Sequence, residues 1–288
     1  MSTSSPIENI SDTARLVATY RAMESDRPDA LFQDPFAQIL AGKRGEEIVR
    51  TIGRQKSKAL AIAVRTYVID EMILHLIKKE GVDTVLNLAA GLDTRPYRLS
   101  LPSSLRWIEV DFPALLSYKE QKLAHERPMC SLELVKLDLT DIASRNALLS
   151  RVSTEAKQVL VITEGLLAYL TYTQVASLAA GLQAHSNFRW WLFELMSPLA
   201  LKGVHQTKYS KYFADGNAKM QFAPNEGIEF FQRYSWKVAE FHSLWEEAHR
   251  LNRETKLGWL LRLLGCFWVK KYREIFYKIV SIVLLEQA

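Results

Sequence analysis

Four residues that could bind a polar ligand each follow a short apolar segment of this 288-residue chain. Their position after strands suggests a role in ligand binding, because open α/β sheets bind ligands at the carboxyl ends of their strands. The pattern predicts one binding site made from successive strand ends. The residues are Gly91 after Thr84–Leu88, Asp111 after Arg106–Val110, Asp138 after Leu132–Lys136 and Glu164 after Gln158–Ile162.

The first two of these residues indicate a nucleoside. Gly91 lies in a turn of small residues, where the missing side chain lets the backbone approach a ligand closely. Asp111 comes twenty residues later, a spacing at which an acidic side chain accepts hydrogen bonds from a ribose diol. A strand-end carboxylate often only caps the next helix, so the set of residues, rather than any single one, predicts a nucleoside cofactor.

Missing glycines argue against a dinucleotide. The nicotinamide-binding motif is G-x-G-x-x-G, and the corresponding residues here are Ala89, Gly91 and Thr94. Only one of the three glycines is present, which disfavours a pyrophosphate and with it an NAD-dependent oxidoreductase. A nucleoside cofactor without a pyrophosphate is not disfavoured.

S-adenosylmethionine (SAM) is such a cofactor, and it offers a ribose, an adenine and a methionine zwitterion. Gly91 can admit its methionine–ribose portion, and Asp111 lies where its ribose diol would be. Asp138 and Leu139 can read the adenine amino edge, and Glu164 can meet the ammonium group. The order of the residues therefore predicts SAM.

Strands that alternate with helices must position these residues. Further strands are predicted at Arg189–Leu195, Ser235–Glu240 and Phe276–Leu285. Apolar strands separated by helices imply an α/β fold with a parallel sheet covered on both faces. We expect one domain over residues 1–288, with a helical cap over 1–80 and a core over 81–288.

The helices follow from apolar residues at three- and four-residue spacing. In the cap, Asp34 is predicted to be the N-cap of a short helix that has Pro35 as its first residue. The other predicted helices are Asp12–Glu24, Lys56–Glu80, Pro113–Glu126, Asp141–Arg151, Thr173–His185, Leu244–Arg250 and Leu257–Trp268.

Composition argues against several classes of function. The net charge of +5 is spread along the chain without a run of five like charges, so no nucleic-acid partner is expected. Cys130 and Cys266 have no CxxC spacing, which fits a reducing compartment. Charges interrupt the apolar tract Leu257–Leu285, and no signal peptide is found. We therefore expect a cytoplasmic protein without a membrane partner, and the histidines have no metal-ligand spacing.

Several separate motifs occur in order along nearly the whole chain. They are Tyr20-Arg-Ala-Met-Glu-Ser-Asp-Arg-Pro-Asp-Ala-Leu-Phe-Gln-Asp-Pro-Phe-Ala, Arg65-Thr66, Asn87-Leu-Ala-Ala-Gly-Leu-Asp-Thr-Arg-Pro-Tyr-Arg, Trp107-Ile-Glu-Val-Asp-Phe-Pro, Asp138-Leu-Thr-Asp and Thr163-Glu-Gly-Leu-Leu-Ala-Tyr-Leu. This set resembles the leucine carboxyl methyltransferase family, and within it the bacterial branch of polyketide-type O-methyltransferases. The resemblance implies a Rossmann-like class I SAM-dependent methyltransferase with a seven-stranded sheet whose last strand is antiparallel.

The resemblance also implies a role for each matching residue. An arginine suits the cofactor carboxylate because its planar fork can pair both oxygens, although Arg65 alone would be interpreted as a solvated helix position. The implied contacts are Arg65 to the cofactor carboxylate, Arg21 near that carboxylate, Gly91 to the cofactor through its backbone, Asp111 to the ribose, Asp138 and Leu139 to the adenine, and Glu164 to the amino end.

The methyl acceptor is less constrained. Methyl transfer from a sulfonium mainly requires alignment and exclusion of water. A carboxylate acceptor needs no base, whereas a hydroxyl acceptor usually does. The two candidate catalytic residues are Tyr169, which could also be packing, and His205, which could also be a surface histidine. Tyr209, Tyr212 and Asp215 are further polar candidates in the segment 197–224, which is predicted to line the acceptor pocket.

An aromatic group is predicted either to roof an apolar acceptor pocket or to form ordinary core. It comprises Trp190, Trp191, Tyr209, Tyr212, Phe213 and Phe222. The predicted function is O-methylation of a carboxylate or hydroxyl on a small, polyketide-like or other secondary metabolite. The alternatives are methylation of a protein C-terminal carboxylate and a SAM-binding sensor without turnover. The oligomeric state stays open.

Overall fold

A computed structural model describes residues 10–53, 55–207, 210–216, 218–254, 260 and 279–288. Its centre is a seven-stranded sheet. The strands are β1 (Thr84–Leu88), β2 (Arg106–Asp111), β3 (Ser131–Lys136), β4 (Val159–Thr163), β5 (Trp190–Met196), β6 (Trp236–Ser243) and β7 (Val280–Gln287). Their order across the sheet is β3-β2-β1-β4-β5-β7-β6.

The sheet confirms the predicted fold class. Strands β1 to β5 are parallel, and β7 is antiparallel to both β5 and β6. The observed β1 has the predicted bounds, and the other strands lie within a few residues of theirs. The largest difference is β6, which continues to Ser243 past an irregularity between Val238 and Glu240. Residues 276–278 of the last predicted strand lie outside the described residues.

Both faces of the sheet are covered, as parallel strands require. Successive side chains of a strand point to opposite faces. On one face, Leu86 and Val161 join a core that includes residues of the sixth and seventh helices, among them Leu149 and Leu178. On the other face, Val85 packs in a core with residues of the third helix.

The helices flank this sheet. They are α1 (Ile10–Ser25), α2 (Ala37–Ile52), α3 (Lys56–Lys79), α4 (Arg95–Arg98), α5 (Pro113–Lys122), α6 (Ile142–Glu155), α7 (Tyr172–Gln183), α8 (Pro198–His205), α9 (Ser210–Asp215), α10 (Glu229–Gln232) and α11 (Leu244–Arg250). No helix within the described residues is long and apolar enough to cross a membrane.

The three amino-terminal helices pack in two different cores. Leu16 and Tyr20 of α1 pack with Ile48 of α2 in a small core of their own. Helix α3 instead places Val68 and Ile73 in the core beneath the sheet. The predicted start of α2 is wrong, because the helix begins at Ala37 with Phe36 as its N-cap residue.

The segment 197–224 contains two helices, α8 and α9, that the sequence pattern did not predict. Helix α8 begins where the Ser197 hydroxyl accepts a hydrogen bond from the Ala200 amide, which satisfies one free donor of its first turn. Tyr209 and, except for Leu260, the predicted helix Leu257–Trp268 lie outside the described residues.

Candidate functional site

The carboxyl ends of neighbouring strands bring the predicted ligand-binding residues to one edge of the sheet. Strands β2, β1, β4 and β5 are adjacent in that order and parallel. Asp111 ends β2, Gly91 lies in the turn after β1, and Glu164 directly follows β4. Glu194 lies near the end of β5 and adds a carboxylate to this edge. The edge is therefore rich in groups that bind polar ligands.

Gly91 and Asp111 meet directly. The Gly91 amide donates a hydrogen bond of 2.7 Å to Asp111 Oδ2, and the Phe112 amide donates one of 2.7 Å to Asp111 Oδ1. Gly91 has φ +57, a left-handed conformation that favours glycine. Burial raises the pKa of Asp111, although the two amides and the Lys119 ammonium act in the opposite direction. The two amides thus fix the Asp111 carboxylate beside the turn that follows β1.

Asp138 and Leu139 form the turn between β3 and α6. The exposed Asp138 carboxylate accepts hydrogen bonds from the Thr140 amide at 2.8 Å and from the Thr140 hydroxyl at 2.7 Å. Leu139 is partly buried and lines an apolar pocket of about 200 Å³ together with Ile142 and Leu166. A flat apolar group could therefore lie against Leu139 while Asp138 faces solvent beside it.

Arg65 of α3 lies between two glutamates. Its Nε is 2.8 Å from Glu164 Oε1, in an ion pair without hydrogen-bond geometry, and its Nη1 donates to Glu194 Oε1 at 2.9 Å. Glu194 also accepts a hydrogen bond from the Gly165 amide at 2.8 Å. Burial lowers the pKa of Arg65, but the two carboxylates outweigh it and the net pKa is raised. Arg65 is thus a paired side chain of the site and not a solvated helix residue.

Arg95 connects this pair to further carboxylates. Its guanidinium contacts Asp70 at 2.6 Å, Asp93 at 2.9 Å and Glu164 at 2.7 Å, and the residue is only 2% exposed. Burial opposes ionisation of Asp93 and Glu164, yet Arg95 holds the pKa of each below its usual range. Arg98 adds a second cation on Asp70 at 2.6 Å. Helix α3, the β1 loop, α4 and β4 are therefore linked by one buried network of ion pairs.

Arg21 extends the network to the first helix. It pairs with Asp34 at 2.8 Å and donates a hydrogen bond of 2.6 Å to the Leu92 carbonyl, next to Gly91. Asp34, predicted to be a helix N-cap, accepts hydrogen bonds at its Oδ2 from Arg21 and, at 2.7 Å, from the Thr94 hydroxyl. Its Oδ1 accepts one of 3.2 Å from the Phe36 amide, just before α2. The aspartate is drawn into the core because a buried arginine needs a counterion.

Sequence reasoning missed six members of this network as functional residues: Asp34, Asp70, Asp93, Arg95, Arg98 and Glu194. A signal was present for four of them, since Asp34 lies in the motif that begins at Tyr20, and Asp93, Arg95 and Arg98 lie in the motif that follows β1. No local pattern pointed to Asp70 or Glu194. Their chemistry appears only when α3 and β5 pack against that motif.

Tyr169 lies within electrostatic reach of Arg65 and Glu194. It ends a 3₁₀ turn, Leu167–Tyr169, a few residues after Glu164. Burial raises the pKa of Tyr169 to about 12, with the nearby charges of Arg65 and Glu194 acting in opposite directions. Its hydroxyl has no hydrogen-bond partner among the described residues, and the residue is partly exposed. Tyr169 can therefore donate a hydrogen bond to a ligand at neutral pH.

The structure does not bring His205 into this group of residues. His205 is the last residue of α8, is exposed, and has its Nε2 2.9 Å from the Met220 carbonyl. Within the part of the chain that the structure describes, no ion pair or hydrogen bond joins it to Arg65, Glu164 or Tyr169. Tyr212 packs instead on the small core of α1 and α2. In the same described residues, no cluster of His, Cys, Asp and Glu could hold a metal ion.

The aromatic group divides in favour of ordinary core. Trp190, Trp191 and Phe222 are buried within the two sheet cores. The Trp191 indole donates to the Thr163 hydroxyl at 2.9 Å, which satisfies its polar atom inside the core. Of the two alternatives, ordinary core therefore describes these three side chains. The side chain of Phe213 and the residue Tyr209 lie outside the described set.

Comparison of the sequence with known proteins agrees with this geometry. Residues 14–183 match the family model of leucine carboxyl methyltransferases. A Streptomyces coelicolor protein named as a SAM-dependent methyltransferase is 33% identical over 82% of this chain and 86% of its own length. A similarly named Mycobacteroides abscessus protein is 31% identical over 88% of each chain.

Two crystal structures show the same fold at low sequence identity. A DUF574 family protein from Streptomyces avermitilis has a TM-score of 0.60 at 13% identity and covers 96% of this chain and 97% of its own. A Thermobifida fusca protein described as a methyltransferase has a TM-score of 0.57 at 14% identity, over 88% and 92% of the two chains.

The site at the strand ends, the family model across more than half of the chain and the full-length relatives lead to one conclusion. The chain belongs to the leucine carboxyl methyltransferase family and is a SAM-dependent methyltransferase with the class I fold.

Proposed function

We propose that this protein transfers the methyl group of SAM to an oxygen of a small molecule, and that a carboxylate is a better acceptor than a hydroxyl. The carrying observation is the Tyr169 hydroxyl, which stays protonated at neutral pH near Arg65 and Glu194 and has no hydrogen-bond partner within the part of the chain that the structure describes. A small polyketide-like or other secondary metabolite is the acceptor class that the resemblance suggests. Such metabolites often carry carboxyl and phenol groups, so the rate of methyl transfer to a carboxylate can be compared with the rate to a phenol.

The residues at the strand ends fit the parts of the cofactor. We assign the cofactor carboxylate to Arg65 with Arg21 nearby, the ribose to Asp111, and the close backbone contact to Gly91. Adenine is assigned to Asp138 and Leu139, and the ammonium to Glu164. SAM, when bound, supplies a methyl group that is already activated on a sulfonium.

Unused hydrogen-bonding capacity near Arg65 supports this assignment. Within the described residues, Arg65 Nη2 has no partner, and Glu194 Oε2 is buried without one. An amino-acid zwitterion carries one group for each of them, a carboxylate for the arginine and an ammonium for the carboxylates. The pocket lined by Leu139 has room for a flat ring.

The acceptor preference follows from the protons available. Tyr169 keeps its proton at neutral pH and can donate it in a hydrogen bond to an acceptor carboxylate. A hydroxyl acceptor would need a base to remove its proton, and His205 bonds to the Met220 carbonyl away from these residues. A carboxylate acceptor needs no such base, so the chain's own task is to orient the acceptor and exclude water.

The test uses the full chain, SAM with a labelled methyl group, and matched aromatic acceptors that differ only in a carboxylate or a phenol. We expect acceptor-dependent product on the carboxylates, and we expect that mild alkali releases the label, because esters hydrolyse where ethers do not. Tyr169→Phe should lower kcat/KM about tenfold, as loss of one hydrogen bond to a charged group would. Alkali-stable label on the phenols would overturn the carboxylate preference.

The same experiment separates the alternatives. Label that appears only in peptides with a free C-terminal carboxylate would support methylation of a protein tail. SAM binding by calorimetry without transfer to any acceptor would support a sensor. Absence of SAM binding would overturn the cofactor assignment itself.

A further inference from the structure

A buried arginine lies in the wall of the pocket beside Leu139. This pocket of about 200 Å³ is mostly apolar and lies between the amino-terminal halves of α6 and α7. Arg145 of α6 lines it and is only 4% exposed. Among the buried lysines and arginines that the structure describes, Arg145 alone makes no ion pair. A buried charge without a counterion is costly, so packing alone does not account for this arginine.

The guanidinium of Arg145 is held in place, but its hydrogen-bonding capacity is not used up. Its Nη2 donates to the Ser177 hydroxyl of α7 at 2.8 Å, and its Nη1 donates to the Leu139 carbonyl at 3.4 Å. Both partners line the same pocket. Its Nε is buried without a partner within the described residues. Because an arginine has five N–H donors, spare donors remain at the pocket wall, among them the second N–H of Nη1.

The charges around the pocket favour a neutral ligand over an anion. Among the described residues that line the pocket, Arg145 is the only charged one. The turn that leads into α6 carries two exposed carboxylates, Asp138 and Asp141. They would repel an anion that approaches the single arginine. A flat neutral ring with acceptor atoms at its edge avoids this repulsion, and adenine is such a ring, because its ring nitrogens accept hydrogen bonds.

We propose that Arg145 is a specificity residue for the cofactor: it donates a hydrogen bond to the adenine nitrogen next to the amino group, N1 or N7. This inference rests on the proposed assignment of adenine to Asp138 and Leu139. Both bonds from Thr140 go to Asp138 Oδ1, which leaves Oδ2 to accept a hydrogen bond from the amino group. The two side chains together recognise a donor beside an acceptor on the adenine edge.

The test measures the binding of S-adenosylhomocysteine by calorimetry, so it needs neither an acceptor nor turnover. Two analogues are compared with it, in which a C–H group replaces N1 or N7 of the adenine. In the wild-type protein we expect one analogue to bind about tenfold more weakly, as loss of one hydrogen bond to a charged group would give. In Arg145→Met we expect S-adenosylhomocysteine to bind about tenfold more weakly, and that analogue should now bind equally well.

Thermal unfolding of the ligand-free variants separates binding from a structural role. Arg145→Met removes a buried charge that has no counterion, so the melting temperature is not expected to fall. Arg145→Lys keeps the charge and serves if the methionine variant does not fold. Its compact ammonium cannot span Ser177 and the ring as the planar guanidinium does, so the same loss of discrimination is expected.

Arg151→Met is the matched control. Arg151 lies on the same helix, but its side chain is 38% exposed and pairs with Glu133. This variant should bind S-adenosylhomocysteine and both analogues with the affinities of the wild-type protein.

Three results would overturn the inference. The first is an Arg145→Met or Arg145→Lys variant that discriminates between S-adenosylhomocysteine and the analogues as the wild-type protein does. The second is a fall in melting temperature with unchanged affinity, which a merely structural role predicts. The third is benzoate binding that is lost in Arg145→Met and does not compete with S-adenosylhomocysteine, because it would assign the pocket to an anion.

Failure of the proposed cofactor site gives a different result. In that case the wild-type protein does not bind S-adenosylhomocysteine at all, and the role of Arg145 in adenine recognition falls with the site. Loss of discrimination is instead measured between ligands that the wild-type protein does bind.

Discussion

Arg95 is the residue whose removal should affect the protein most. Arg95→Met keeps much of the side-chain length but removes the cation that contacts Asp70 at 2.6 Å, Asp93 at 2.9 Å and Glu164 at 2.7 Å. Arg98 still pairs with Asp70 and Arg65 with Glu164. Asp93 keeps only neutral partners in direct contact, the Asn87 amide group at 2.9 Å and the Arg95 backbone amide at 2.9 Å.

The expected loss of stability follows from the charge that is left without a counterion. Breaking a buried ion pair by removing one partner costs about 3–5 kcal/mol, because the remaining charge is buried and uncompensated. A protein is stable by about 5–15 kcal/mol in total. With about 2–4 °C per kcal/mol for a chain of this size, Arg95→Met should lower the melting temperature by about 10 °C and the free energy of unfolding by at least 3 kcal/mol at pH 7.5.

The pH dependence gives the prediction its sign. In the wild-type protein the pKa values of Asp93 and Glu164 lie below their usual range. Their contribution to stability is present above a pH of about 4 and is lost as the pH falls through the folded-state values. Without Arg95, burial raises the pKa of Asp93 above its unfolded value. The folded variant then binds protons more readily than the unfolded chain, so the loss of stability is largest at pH 7.5 and shrinks towards pH 5.

The assay is urea unfolding followed by tryptophan fluorescence at pH 7.5 and pH 5.0. Arg106→Met is the matched control, since Arg106 pairs with Glu155 at 2.8 Å but is 31% exposed. Exposed pairs of this kind contribute less than about 1 kcal/mol. The reasoning is refuted if Arg95→Met loses no more stability than the control at pH 7.5. A loss that grows at pH 5.0 would refute the electrostatic account.

Three further predictions concern the cofactor loop and the candidate residues. Arg65→Ala and Asp111→Ala should each weaken S-adenosylhomocysteine binding at least tenfold, which is about 1.4 kcal/mol. Unchanged calorimetric affinity in either variant would contradict the proposed role of that residue. Gly91→Ala should cost about 1–2 kcal/mol of unfolding free energy, because an alanine is forced to φ +57. Gly203→Ala, in helix α8 with no atom within 4 Å of the added carbon, should stabilise by about 0.5–1 kcal/mol, and denaturant titrations of the two variants should differ in sign. His205→Ala should leave affinity and turnover within about twofold of wild type, and a large loss of kcat measured by methyl transfer would restore His205 as a base.

The strands and their terminal residues were predictable because their signals are local. The run Thr84–Leu88 is mostly apolar, with Val85, Leu86 and Leu88, and is followed by a turn of small residues, which is the pattern of a strand buried on two faces. Its observed bounds are the predicted ones. Once the strands are parallel neighbours, Gly91, Asp111 and Glu164 must share an edge. The direct bond between the Gly91 amide and Asp111 agrees with that logic.

The wrong start of α2 and the open alternatives for the aromatic group share a physical cause. Asp34 has the residue type and the following proline of a helix N-cap, and its Oδ1 does accept a hydrogen bond from the Phe36 amide. The helix nevertheless begins only at Ala37, and the other oxygen of Asp34 pairs with Arg21 at 2.8 Å. For Trp191 and Phe222 the sequence left a pocket roof and ordinary core open, and both lie in the core because the interior needs large apolar side chains. Local sequence does not state which of two suitable partners lies closer.

The sequence by itself determined the strands along the chain, most of the longer helices, the residues at the strand ends and the family, because apolar periodicity and short motifs act over a few neighbouring residues. Only the tertiary structure decided how the charges pair. Arg65 meets Glu194 across 129 positions of the chain, and Arg95 meets Glu164 across 69. Lys119 meets Glu109 where neither is exposed. A charge on the surface is weakly coupled to its neighbours, whereas the same charge in the interior interacts strongly with them and must be compensated. No local pattern specifies which of these charges are buried. Their burial in the folded protein makes the arginines and carboxylates pair, and these pairs hold the site together.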